Sequence, residues 1–466
     1  MKILSRLVLF SALLTLTVAG QEKTTSRAYT LQECIDIALR NNYDLRMQNN
    51  TLERAEYDTW KAWQGFMPRA DLRANGTYFE SGDARFLTNV QVPNPDNPGE
   101  FIIVQQEVVQ PGQKRHNYSS SFSLNWTIFD GMATWYGVKA SRWSENASRR
   151  ELQAQINSTV QQVRGAYLDL LKFQKLVEVS KLAVERSQEQ LKKQVLAFRI
   201  GSATRLDTLK SYVTYNTDRI ELITNKNGVK QSMYALNIVL ARDPGTPIRV
   251  ADLDVNRLPV LEDYTVLEDF IRQRNPTLLA NEARREAAND TRKGRISPFL
   301  PSFGFGYTYS RTHETAGKVF LFEDWDQFWN YNVGFSASWN LFNGFGDHIN
   351  YQQALIDERN SELNLLKIEA DLLRSLRVAY DNYKDALVIV DINKVNLESA
   401  REDYRLASER KTVGSATILE VIDSQVSLTR AEQTLVEAYY SALQARNQID
   451  ELIGTEYKQK MGGANE

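Results

Sequence analysis

The 466-residue chain carries 56 Lys and Arg against 58 Asp and Glu, is 42% apolar and has one cysteine. That balance leaves no basic footprint for nucleic acid, and a single thiol excludes an internal disulfide framework. Past residue 20 no apolar run reaches the roughly 18 residues of a spanning helix, which leaves open a β-barrel, whose alternating strands hydropathy barely registers.

Lys2 and Arg6 precede the apolar run Leu7 to Leu16, and Val18, Ala19 and Gly20 follow. A charged start, a short apolar run and small residues read as a secretory leader over 1–20, cleaved before Gln21. The remaining chain then has 54 basic and 58 acidic residues, a balance of −4. Cys34 falls in the helical stretch LQECIDIAL and is expected to be a small buried residue. RADLRANGTY, SSSFSLNWTIF, PSFGFGYTYS and YNVGFSASWNL alternate apolar residues with small polar ones, the period-2 pattern of strands with two unlike faces. Their length near ten residues and the aromatics at their ends (Tyr78, Phe79, Phe129, Trp329, Phe342) favour membrane strands over the half-buried sheet of a soluble domain. NVQVPNPDNPGEF, between the first two, reads as an inserted loop near 88–117.

From Gly131 to Arg199 there is no proline, and Ile156, Val160, Val163, Tyr167, Leu170, Val177, Lys181, Val184, Leu191, Val195 and Phe198 follow heptad steps. A second seam runs through Leu373, Leu376, Tyr380, Tyr383, Leu387, Val390, Leu397 and Tyr404; Lys394 and Arg401 interrupt it, so it reads as the weaker. The first helix would be about 100 Å long at 1.5 Å per residue. GSAT at Gly201–Thr204 then turns the chain, with glycine ending one helix and threonine capping the next. Helices of about half that length are expected at 205–240 and 264–297, separated by a stretch holding Pro244, Pro247 and Pro259.

The pattern repeats. GSAT recurs at Gly414–Thr417, 213 residues on, and Trp126, Phe129 and Gly131 fall on Trp339, Phe342 and Gly344 at the same offset. Upstream the offset is 233: Asn42 falls on Asn275, and Phe66-Met67-Pro68 on Phe299-Leu300-Pro301. The 20-residue difference is the insertion. A first repeat at 21–263, a second at 264–455 and a tail at 456–466 follow, each repeat having a helix, two strands and a long helical hairpin with GSAT at its tip. Four strands cannot close a barrel and an open edge is not tolerated in lipid, so the copies are expected to oligomerise around one barrel.

This arrangement resembles the TolC-like outer-membrane efflux protein family, through the YTLQECIDIALRNN opening, the FMP and FLP helix ends before strands, and the tip TVGSATILEVIDS. The resemblance implies a mixed α/β membrane protein: a homotrimer sharing a 12-stranded transmembrane β-barrel, continued by a long α-helical coiled-coil barrel in the periplasm. It implies an exit duct in the outer membrane of a Gram-negative cell, docked on a periplasmic adaptor and through it on an inner-membrane pump. The family's acidic tip positions fall on Glu420 and Asp423, three apart on one helix face, and Asp207 takes the first of these places in the first repeat. By resemblance these acids form a periplasmic gate ring; the other reading is a solvated face. The tips Gly201, Ser202, Ala203 and Thr204, with Gly414, Ser415, Ala416 and Thr417, are the implied adaptor-docking grooves. A tyrosine–arginine latch found in some members is in doubt, since Lys411 and Ala416 stand there.

His116, His313 and His348 are scattered, and no HExxH, GxSxG or phosphate-binding loop occurs, so no enzyme activity, cofactor or metal is expected. The remaining alternative is a secreted or periplasmic coiled-coil interaction or adaptor protein, for which the heptads alone would suffice.

Overall fold

A computed structural model describes residues 28–253, 258–315 and 329–454; the expected leader and the tail at 456–466 lie outside the described residues. Contacts divide the chain into two units. The first is Met1–Tyr43, Ser158–Leu261 and Ala379–Ile449; the second is Asp44–Asn157, Glu262–Val378 and Asp450–Glu466.

In the second unit, β1 (Arg69–Glu80), β4 (Lys114–Phe129), β5 (Ser302–Thr315) and β6 (Trp329–Ser338) form one antiparallel sheet in that order. The register places Leu72, Phe122, Tyr309 and Tyr331 in one row across it, and Ala70, Leu124, Tyr307 and Val333 in the next. Because side chains alternate faces, the rows between are polar: Arg73, Ser121, Ser310 and Asn330, then Asp71, Ser123, Thr308 and Asn332. The apolar face is exposed, with Leu72 and Phe335 each 79% accessible. Such a face is costly in water and suited to lipid.

The expected loop is instead a ribbon. β2 (Ala84–Pro93) pairs with β3 (Phe101–Gln110), and only Asn94–Glu100 turn. The ribbon keeps the β1–β4 register: Glu80 faces Lys114, Ser81 N–H donates to Gln113 O at 2.9 Å, and Ala84 faces Gln110. Gly112 lets the strands pass at the interruption, where a Cβ would meet Ser81 O at 2.2 Å. A hairpin insertion divides between two arms, so the 20 extra residues lengthen each by ten, about 33 Å. Alternation of a weak kind is present (Phe86, Val90, Val92 facing Val108, Val104, Ile102), but the Pro and Asn residues obscured it in the sequence.

Each hairpin leads into its helix through the same turn. Gly131 and Met132 take φ of +67° and +73°, and Gly344 and Phe345 +69° and +66°. The residue before caps the helix: Asp130 Oδ2 accepts from Thr134 N–H at 2.7 Å, and Asn343 Oδ1 from Asp347 N–H at 3.3 Å. Trp126 Nε1–H donates to Phe66 O at 3.0 Å, and Trp339 Nε1–H to Phe299 O at 3.2 Å, tying each second strand to the 3-10 turn before the first.

The helix expected at 264–297 is two, α5 (Tyr264–Arg274) and α6 (Pro276–Gly294). Pro276 sits at the first helical position of α6 and drives Asn275 out of helical geometry, to φ −61° and ψ 120°. Asn275 caps α6 through Thr277 and Leu278 N–H, and its Nδ2 donates to Leu452 O at 2.8 Å.

In the first unit, α1 (Leu31–Asn41) begins at a Thr30–Glu33 capping box and buries Cys34, Ile35 and Ala38. Burial pushes the Cys34 thiol up to about 11, so it stays protonated and unreactive. Asn42 ends α1 and donates from Nδ2 to Val239 O at 3.0 Å, the repeat counterpart of the Asn275–Leu452 bond. The long helices are α3 (Ala133–Arg199) and α7 (Gly346–Thr412), each 67 residues, with α4 (Arg205–Val239) and α8 (Ile418–Ile453) as their return arms.

The seams differ from expectation. On α3 the expected apolar seam is buried through Val160, Val163, Tyr167 and Leu170; beyond it the buried stripe is Leu176, Ser180, Ala183, Ser187 and Gln194, one residue behind the expected positions. A straight helix drifts against a seven-residue repeat, and the small side chains permit close approach. On α7 the core falls at Leu376, Tyr383, Val390 and Leu397, an unbroken heptad, so the seam that looked weaker is the more regular.

Candidate functional site at the hairpin tips

The tips belong to the first unit, and GSAT encodes a complete helix stop and start. Gly201 takes φ +80° and Gly414 φ +78°. Gly201 N–H donates to Phe198 O at 3.0 Å and Ser202 N–H to Ala197 O at 2.8 Å. The second tip repeats this: Gly414 N–H to Lys411 O at 3.1 Å and Ser415 N–H to Arg410 O at 2.8 Å. These paired bonds are the Schellman closure, which satisfies carbonyls the helix end would leave open. Each serine hydroxyl donates to the same carbonyl at 3.1 Å, Ser202 to Ala197 O and Ser415 to Arg410 O.

Two residues on, the threonine starts the return helix. Asp207 N–H donates to Thr204 Oγ1 at 3.2 Å, and Asp207 Oδ2 accepts from Thr204 N–H at 3.0 Å and from its hydroxyl at 2.7 Å. Glu420 N–H donates to Thr417 Oγ1 at 3.3 Å, and Glu420 Oε1 accepts from Thr417 N–H and hydroxyl, both at 3.1 Å. These are capping boxes. The hydroxyl and N–H of Thr204 hold the Asp207 carboxyl below its ordinary value, and Lys411 and Lys210 add to this. The Thr417 N–H and hydroxyl do the same for Glu420, with Arg410 contributing.

Two of the three expected gate acids therefore have a local task the sequence reading did not assign, although T-x-x-D/E was visible as its signal. Asp423 lies one turn beyond Glu420, exposed, and takes no part in the turn's bonds. The doubted latch has a local relative: Arg410 donates to Ser415 O at 3.0 Å and pairs with Glu420 Oε2 at 3.4 Å, closing its own turn. Just behind, Arg405 bridges Glu402 at 2.6 Å and Glu409 at 2.7 Å.

The tips differ in what surrounds these turns. Around the first, Leu196, Phe198, Ile200, Leu206, Leu209 and Tyr212 are exposed. Around the second, Ile418, Val421 and Ile422 pack with Ala407 and Tyr404 in a buried cluster. Of this exposed apolar collar the sequence pattern singled out only Phe198, as a member of the heptad seam; the other five fall outside that seam.

Residues 34–242 and 269–455 match the outer membrane efflux protein family, in two blocks that together span most of the chain. The chain belongs to that family. Among relatives of this efflux protein, the outer membrane efflux protein BepC of Brucella suis is 22% identical over 340 residues, covering 70% of this chain and 71% of BepC. The toluene efflux pump outer membrane protein TtgC of Pseudomonas putida is 22% identical over 452 residues, covering 94% and 85%. The solved structure of CusC superimposes with a TM-score of 0.76 at 17% identity, over 91% of this chain and 92% of that one. The efflux protein is thus an outer-membrane component of a Gram-negative cell, and the coiled-coil interaction reading is set aside.

Proposed function

We propose that the protein is the passive exit duct of a tripartite efflux or secretion assembly, working as a homotrimer in which three four-stranded sheets close one 12-stranded barrel. The observation that carries this is the two-faced sheet: an exposed apolar face backed by serine, asparagine, threonine and glycine. Apolar residues toward lipid and small polar residues toward a lumen are what a water-filled transmembrane barrel needs. The first and second repeats, 21–263 and 264–455, contribute two strands each.

The tips then form the periplasmic entrance. Asp207, Glu420 and Asp423 supply its acidic ring, with Asp423 the member whose charge is not spent on the turn. An adaptor docks at Gly201–Thr204 and Gly414–Thr417, helped by the apolar collar of the first tip, and links the duct to an inner-membrane pump. Carboxylates lining a narrow opening favour cations. Purified protein in planar lipid bilayers should conduct with cation preference, and Asp423→Asn should reduce that preference while leaving folding intact. Absence of any conductance, including after the tips are deleted, would sink the duct reading.

A further inference from the structure

We infer that a groove between α2 (Tyr43–Trp63) and α3 holds an anionic glycerophospholipid of the periplasmic leaflet, its phosphate on Arg142 and Lys139 and its acyl chains against Trp60, Trp63 and Met67. This rests on the reading of the four-stranded sheet as part of a membrane barrel.

The groove lies within the second unit, has a volume of about 730 Å³ and is lined by Thr59, Trp60, Trp63, Met67, Arg142 and Glu145. Thr59 is buried, and its hydroxyl donates to Ala55 O at 3.1 Å and to Ser141 O at 3.3 Å, fastening α2 to α3. Trp60 and Met67 are by contrast 67% and 60% exposed. Indoles in that position are costly in water and favoured at a membrane–water boundary. The groove stands at such a boundary. Only residues 64–68 separate α2 from β1, and only 130–132 separate β4 from α3. Trp126 lies on the apolar face of the sheet, in step with Phe122 and Leu124, and its ring N–H holds Phe66 O at 3.0 Å. The Phe66 ring is 5.5 Å from that of Trp63, so the lipid-facing row runs on into the groove.

The headgroup chemistry follows from the charges. Trp135, Lys139 and Arg142 succeed one another at steps of four and three, on one face of α3. Lys139 Nζ lies 5.4 Å from the Trp135 ring centroid and 5.7 Å from that of Tyr136, and the Arg142 guanidinium 5.2 Å from that of Trp63. Among the described residues neither cation has an ion-pair partner. Glu145, the acid that lines the groove, is engaged by Arg149 at 3.1 Å. Two cations held over aromatic rings and paired with no acid fit a phosphodiester, whose oxygens a guanidinium can grip with two N–H groups. A zwitterionic headgroup would bring its own ammonium against them, so a lipid of net negative charge is favoured.

The second repeat shows the same place closed by the protein itself. Arg292 stands where Thr59 stands, and Gln352 and Leu355 where Lys139 and Arg142 stand. Arg292 reaches from α6 across to Glu358 on α7, the counterpart of Glu145, at 2.6 Å, and donates to the Tyr351 hydroxyl at 3.1 Å. A long cation thus bridges the two helices in one repeat. In the other, a short threonine leaves the space open, and the cations sit on α3 with their charge unanswered.

The test uses the full chain in phosphatidylcholine vesicles, with lipids whose brominated acyl chains quench nearby tryptophans. The signal of Trp60 and Trp63 is the difference between the protein and its Trp60→Phe/Trp63→Phe variant. Its quenching should need about tenfold less brominated phosphatidylglycerol than brominated phosphatidylcholine, the preference two cations confer at a membrane surface. Lys139→Gln with Arg142→Gln should abolish that preference, and Arg142→Lys, which keeps the charge, should retain it. Equal quenching by the two lipids, or a preference that survives loss of both cations, overturns the headgroup site. If Trp126, read by the same subtraction, is quenched while Trp60 and Trp63 are not, the groove lies outside the bilayer and the proposal falls, with the barrel still standing. Failure to insert, with Trp126 unquenched as well, overturns both. Should the double phenylalanine variant fail to fold, native mass spectrometry of detergent-extracted protein reads the same preference. There the unaltered chain should retain added phosphatidylglycerol, and the Lys139→Gln/Arg142→Gln variant should lose it; equal retention overturns the site.

Discussion

Gly131 and Gly344 hold the same left-handed backbone at equivalent points of the two repeats, at φ +67° and +69°. A methyl group on the first would strike Ser297 O at 2.5 Å; on the second it would meet nothing. The backbone requirement therefore belongs to the turn, and the packing requirement to whatever lies on it. The same division holds at the tips, where one four-residue phrase makes the same bonds twice, beneath an exposed collar in one repeat and a buried cluster in the other. Duplication copies local structure faithfully and leaves the surroundings free to differ between the repeats.

The largest expected effect comes from breaking that pair. Gly131→Ala combines a left-handed penalty with a clash against backbone, and should destabilise the chain by about 3 kcal/mol. Gly344→Ala should cost only the backbone term, about 1–2 kcal/mol. Thermal unfolding of the two variants would read both. Equal costs would break the comparison.

The caps come next. Thr204→Ala and Thr417→Ala should each weaken their tip by about 1 kcal/mol, read as faster amide exchange in the first turns of α4 and α8. Near-equal losses would show that the turn is a self-contained unit. Unequal losses would show that the buried cluster behind the second tip also bears on it.

The acids sharpen the comparison through pH. The carboxyls of both Asp207 and Glu420 are held below their ordinary values by the threonine hydroxyl and N–H. An acid whose folded value is depressed adds stability above its unfolded value, about 4 for these groups, and that stability is lost as pH falls through the folded value. Both tips should therefore loosen on acidification from about pH 4 downward. Glu420→Gln should make the second tip insensitive over that range while the first still responds, as followed by amide exchange. If the second tip still loosened in the Gln variant, another group would be responsible.

Much of this was legible in the chain. Periodicity and the recurring GSAT gave the strands, the helices and the duplication because those signals are local. The helix break at Asn275 was also local, carried by one Asn-Pro step inside the stretch read as a single helix over 264–297. The ribbon was hidden by turn-rich residues at its far end, and its length becomes evident only when the 20 extra residues are divided between two arms. The α3 stripe and the capping use of Asp207 and Glu420 were less accessible, since burial and hydrogen bonding depend on neighbours that a single helix pattern does not name. Glu420 shows the limit well: its spacing to Asp423 suggested a shared face, while its spacing to Thr417 determined its bonds.

The smallest effect tests whether the duplication left an unoptimised copy. α4 ends with Ala241 in the left-handed region, φ +53°, and α8 ends with Gly454 at the same point of its repeat, φ +64°. Ala241 N–H donates to Ile238 O at 3.0 Å and Arg242 N–H to Asn237 O at 2.8 Å, the same closure seen at the tips. Glycine adopts this geometry without the Cβ crowding that alanine suffers, though it gives up more entropy on folding. Ala241→Gly should stabilise the end of α4 by up to about 1 kcal/mol, and the Asn42–Val239 bond beside it should be retained. A gain in thermal midpoint would mean that the first repeat tolerates strain which the second has shed. A loss would mean that the alanine methyl is packed to advantage, and that the two helix ends, alike in backbone, differ in their surroundings as the two glycine turns do.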